Sequence, residues 1–141
     1  MHMLFRFAGI LAIGLSTAFE ANAAPARTPA ECDAAAKVWF SSNYADGKKV
    51  LKSGRSVGAS HQVHFNAKRK LCLVRVESNI PAHDKSPALA NVAIHNLNAP
   101  NQKIIASLIR VRDKATHCVV EGKKCQSAEE WNKLTAPLMQ D

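Results

Sequence analysis

Apolar and polar positions alternate most cleanly over residues 61–76, HQVHFNAKRKLCLVRV. Two alternating runs flank the polar group Asn66-Ala67-Lys68-Arg69, which predicts a β-hairpin with a four-residue loop. With Phe65 opposite Lys70, Val63 faces Cys72 and His61 faces Val74. Side chains alternate along a strand, so Val63, Phe65, Cys72, Val74 and Val76 share one face, a core face with a cysteine at its middle. Gln62, His64, Leu71, Leu73, Arg75 and Glu77 share the other face, which is mixed in character.

Helical spacing replaces alternation on either side of this segment. Thr28-Pro29-Ala30-Glu31 has the form of a capping box with proline at the first helical position, and Cys32, Ala35, Ala36, Trp39 and Phe40 follow as one apolar stripe. Residues 43–47 end that helix, and the glycine- and charge-rich residues 48–58 read as a mobile connection with one helical turn. Residues 78–87 have loop composition. A second hairpin is predicted from runs 91–97 and 103–112, whose second strand has apolar residues on both faces and is therefore central or covered at one end. Residues 117–121 add a short further strand. Ser127-Ala128-Glu129-Glu130 is a second capping box, leading into a helix with the stripe Trp131, Leu134 and Leu138 and with Pro137 in its last turn. The expected fold is α+β: an N-terminal and a C-terminal helix packed on an antiparallel sheet of about four to five strands.

The first 23 residues read as an export signal rather than as fold. A basic Arg6 precedes the apolar residues 7–15, and Ala21-Asn22-Ala23 places small residues at the −3 and −1 positions of a cleavage site. That apolar run falls short of the roughly 20 residues that span a bilayer. Cleavage leaves residues 24–141 as a single domain that opens with a disordered tail, residues 24–27, and is expected in the periplasm or the medium.

The four cysteines, Cys32, Cys72, Cys118 and Cys125, all follow the cleavage site, and an even count in a small exported domain reads as two disulfides. Three connectivities are open. The short separation of Cys118 and Cys125 favours a local bridge, which leaves Cys32 on the helix stripe to join Cys72 on the core face of the hairpin. No pair has CxxC spacing, so a zinc site is the minor alternative.

The formal net charge of +8 favours acidic partners: anionic lipid, polyanionic envelope polymer or nucleic acid. Lys68, Arg69 and Lys70 are the candidate anion-binding residues, and His64 with Asn66 is a candidate polar site beside the loop. His61 and His64 are three apart on a strand and point to opposite faces, so they cannot chelate one metal. No nucleophile elbow, phosphate loop, HExxH or EF-hand pattern occurs, and no metal or cofactor is expected.

Ser60-His61, His64-Phe65-Asn66 and Cys72-Leu73-Val74, with the tail Cys125-Gln126-Ser127-Ala128-Glu129-Glu130-Trp131 and Pro137, give the chain a resemblance. It resembles a family of small exported bacterial proteins of unknown function, marked by a hairpin S-H-x-N-x(5)-C and a tail C-x-S-x-x-E-[FW]. The middle departs, since that family carries Tyr- and Glu-rich strands where this chain has 92–97 and 103–111. The resemblance implies architecture and export and supplies no catalytic residue. The expected function is a non-enzymatic binding or inhibitory module that meets a protein through the mixed sheet face or a sheet edge. The alternatives are a basic module for an anionic envelope component and, third, a small enzyme or metal binder.

Overall fold

The computed structural model describes residues 27–141; the export signal and residues 24–26 of the expected tail lie outside them. Helix α1 (Pro29–Asn43) precedes strands β1 (Lys48–Val50), β2 (Ser56–Asn66), β3 (Leu71–Ile80), β4 (Leu89–Asn96), β5 (Ile104–Val111), β6 (Lys114–Val120) and β7 (Lys123–Lys124). Helix α2 (Ala128–Met139) closes the chain. The strands form one antiparallel sheet in sequence order, β1 to β7, each hydrogen-bonded to the next.

An α+β fold with two helices and an antiparallel sheet is as expected, but the sheet has seven strands rather than four to five. The extra strands are the short edges. Residues 48–58, expected as a mobile connection, form β1, a tight turn and the start of β2, with Leu51 N–H donating to Arg55 O at 2.8 Å. Gly47 precedes that hairpin at φ 70°, and a Cβ there would meet Ala59 O at 3.2 Å. At the other edge, β6 and β7 form a hairpin closed by the Cys118–Cys125 disulfide, Cα atoms 5.0 Å apart. β6 itself starts at Lys114, three residues before the strand expected from His117.

The central hairpin forms with its register moved by two residues: Phe65 pairs with Cys72, Val63 with Val74 and His61 with Val76. The cause is Asn66, which stays on the strand as partner of Leu71 while its side chain accepts from Arg69 N–H at 2.9 Å. The four-residue turn is therefore 67–70. A shift of two preserves the face of every side chain, so Cys72, Val74 and Val76 still line one side. There they pack with Cys32, Ala36, Trp39 and Phe40 of α1 and with Leu97. The Cys32–Cys72 disulfide, Cα–Cα 5.3 Å, staples helix to strand. Thr28 and Glu31 make the reciprocal capping box of α1, the Thr28 N–H donating to the Glu31 carboxylate at 2.7 Å.

The opposite face, read as mixed, carries the larger core. Leu73, Val92, Ile94, Ala106, Leu108, Cys118 and Val120 enclose Trp131 and Leu138 of α2. Trp131 is fully buried and the Arg75 guanidinium lies 5.4 Å above its ring, so the polar member of this face covers the aromatic anchor. The two helices thus sit on opposite sides of the sheet, and Leu73 and Val74, adjacent in β3, are both 0% exposed. The second capping box forms by half. Ser127 Oγ accepts from Glu130 N–H at 3.1 Å, but the Glu130 carboxylate reaches one residue further back, to Gln126 N–H at 2.8 Å.

Candidate binding surfaces

Asn66 and His64, proposed from sequence as one polar site, take separate roles. Asn66 is 1% exposed, and its amide donates to Pro137 O at 3.0 Å and Leu138 O at 3.1 Å. The last carbonyls of a helix have no partner within it, so Asn66 ties the end of α2 to the turn of the central hairpin. His64 lines a cleft of about 650 Å³ with Gln62, Arg75, Asn132 and Gln140. Its Nε2 lies 3.7 Å from Asp141 Oδ1, and that oxygen also accepts from Ala67 N–H at 3.4 Å. The cleft is bounded by Met139 and Gln140 on one side and by Arg75, which is paired with Glu77 at 2.7 Å, on the other.

The basic turn remains exposed throughout residues 67–70. Arg69 forms an ion pair with Glu121 of the β6–β7 turn, bringing together the turns of two hairpins that have β4 and β5 between them in the sheet order. Lys68 and Lys70 flank that pair.

His61 stacks on Phe40 with ring centroids 3.9 Å apart, and His95 meets Trp39 at 4.5 Å, so both imidazoles belong to the α1 side. Burial pushes the His95 imidazole below its ordinary pKa of 6.5, opposed by its contact with Gln102 O at 3.3 Å. His64 faces the α2 side. His83 is exposed beside Asp84, 2.8 Å away. Among the described residues no group of three His, Cys, Asp or Glu side chains converges as a metal site.

A surface not anticipated from sequence lies beside α1. That helix rests on β2 and β3 and touches β4 through Trp39 on His95, which leaves the same face of β5 and β6 uncovered. Ser107, Ile109, Val111 and Val119 remain half-exposed there, although β5 is central in the sheet. Register places Lys114 opposite Val111, His117 opposite Ile109 and Lys124 opposite Val119, all on this side. β4 to β7 contain no Asp or Glu, so the strip is apolar at its centre and basic beside Val119, while at the Val111 end Asp84 and Asp113 stand with Lys85, Arg112 and Lys114. Ser107 Oγ and His117 Nε2 are 2.8 Å apart across the strands. The pair links β5 to β6 side chain to side chain, and among the described residues no carboxylate hydrogen-bonds His117. The two-sided apolar pattern of 104–111 was the signal for a covered strand; nothing local in sequence tells that only one side is covered.

By contrast, the surfaces expected to meet a partner are taken or too small. The mixed face is the seat of α2, and the edges are strands of three and two residues, with lysine at four of their five positions. Short lysine-bearing edges discourage strand addition. No helix among the described residues is long and apolar enough to cross a membrane. Two disulfides and no free cysteine among the described residues fit an oxidising compartment. Comparison with protein families, with curated proteins and with solved structures finds no match to this chain.

Proposed function

We propose that the chain is an exported, non-enzymatic binding module that receives an acidic partner protein on the open half of its sheet, in the periplasm or outside the cell. The observation that supports this most is the uncovered strip of Ile109, Val111 and Val119, with Lys114 and Lys124 at its rim and lysine and arginine outnumbering the two aspartates, Asp84 and Asp113, at the Val111 end. Half-exposed aliphatics inside a basic rim suit a partner with an apolar centre and acidic surroundings, the charges steering encounter and the aliphatics supplying most of the affinity. The Cys118–Cys125 disulfide pins β6 of the strip, which lowers the ordering cost of association. Export is supported by the disulfides, by the N-terminal signal pattern and by the resemblance to a family of exported proteins.

Site-specific photo-cross-linking in cells exporting the protein tests this reading. A cross-linker at position 109 should capture a discrete product that a cross-linker at position 52, in the β1–β2 turn, does not. Raised salt and the Val119→Asp substitution should each reduce the yield. Equal products at both positions, or none at 109, refutes the open strip as a partner surface.

A further inference from the structure

Turns of an antiparallel meander alternate between the two ends of the sheet, so turns 67–70, 97–103 and 121–122 share one end. Lys68, Arg69, Lys70, Lys103 and Lys123 are all exposed there. The Arg69–Glu121 ion pair sets the first and third turns within reach of one side-chain pair, and Lys103 lines a cleft of about 460 Å³ with Glu121 and Gly122. Two carboxylates at this end are engaged, Glu121 with Arg69 and Asp141 with Ala67 N–H, while the exposed Glu31 and Asp33 flank Cys32, whose disulfide partner Cys72 lies two residues beyond the turn.

The platform is rigid for a set of surface turns. Asn66 holds turn 67–70 to the end of α2, and Asn98 of the second turn accepts from Cys72 N–H at 2.6 Å. Lys70 and Glu121 occupy the left-handed region, at φ 54° and 47°. Glycine or asparagine holds such positions with less strain.

We propose that this end of the sheet binds a linear polyanion, with the phosphate, sulfate or carboxylate groups of the polymer distributed over Lys68, Lys70, Lys103 and Lys123 around the Arg69–Glu121 pair. The platform adjoins the open strip, since the cleft that Lys103 and Glu121 line also contains Ser107 and Val119. Ile104, 51% exposed, is the only large apolar side chain prominent at this end among the described residues. An interfacial bilayer site draws on a broader apolar face, so a polymer rather than a membrane is the occupant.

Affinity of the exported protein for heparin and for long-chain polyphosphate, measured against salt, tests the site, with phosphatidylglycerol vesicles as the third probe. Both polymers should bind, with affinity falling steeply as salt rises. Replacing Lys68, Lys70 and Lys123 together by Gln should weaken low-salt binding by about tenfold or more and flatten the log–log salt slope by about 2. The charge-matched set Lys37→Gln, Lys52→Gln and Lys85→Gln, remote from this end, should leave both nearly unchanged. Equal losses from the two sets, salt-independent binding, or tighter binding to the vesicles than to either polymer overturns the proposal. Cross-linking at position 109 should persist in the Lys68, Lys70 and Lys123 variant, which separates failure of this site from failure of the open strip.

Discussion

Replacing Asn66 by alanine removes the buried side chain that joins the hairpin turn to the last carbonyls of α2. Three hydrogen bonds go with it: to Pro137 O, to Leu138 O and from Arg69 N–H. A net contribution of about 1 kcal/mol each, with buried acceptors left unpaired, gives a loss of about 3 kcal/mol. For a domain of this size that corresponds to a fall in melting temperature of about 12 °C. Asn66→Asp should be at least as damaging near neutral pH, because it keeps the acceptor for Arg69 but turns a carboxylate toward two carbonyls. Denaturant titration with the disulfides intact measures both variants, and hydrogen exchange should show the last turn of α2 losing protection first. The comparison is Asn132→Ala, on the exposed side of the same helix, where a change within about 0.5 kcal/mol is expected. If Asn66→Ala is as mild as Asn132→Ala, the clamp does not exist and the placement of α2 loses its main polar support.

Cys72→Ala should cost about 2–5 kcal/mol and leave one titratable thiol, at Cys32, whereas Cys118→Ala should cost less because its loop is short and local. His95 provides a pH dependence. Its folded pKa lies below the unfolded value, so the unfolded chain takes up the proton first and stability falls as pH drops below 6.5 toward the folded pKa. Unfolding titrations at pH 7.5 and 5.5 should show that loss in the wild type and a smaller one in His95→Phe; an equal loss in both would assign it to other groups. Intact mass of the exported protein should place its N-terminus at Ala24, and a soluble species retaining residues 1–23 would contradict the export argument.

Period-two alternation over residues 61–76 was enough to assign faces, because the structure's two-residue register shift leaves every side chain on its side of the sheet. For the same reason Cys72 was readable as a partner for the α1 stripe. Cap signals at Thr28 and Ser127 were equally local and equally legible. Three features were not. Strands of two or three residues, β1 and β7, are too short to carry a periodic pattern. Leu73 and Arg75 on one face looked mixed, since nothing nearby shows that the arginine caps Trp131 from a helix 56 residues further on. Asn66 read as turn chemistry, yet two of its three bonds go to carbonyls 71 and 72 residues away. Long-range polar satisfaction leaves no trace in local composition.

Helices on opposite sides of the sheet are what leave half of one face open, and the disulfides report that arrangement directly. Cys72 points to the α1 side and Cys118 to the α2 side, so no bridge between them can form across the sheet. Non-reducing peptide mapping of the exported protein should yield Cys32–Cys72 and Cys118–Cys125 as its only linked pairs. A Cys72–Cys118 or Cys32–Cys118 peptide would contradict the two-sided packing and, with it, the open strip on which the proposed function rests.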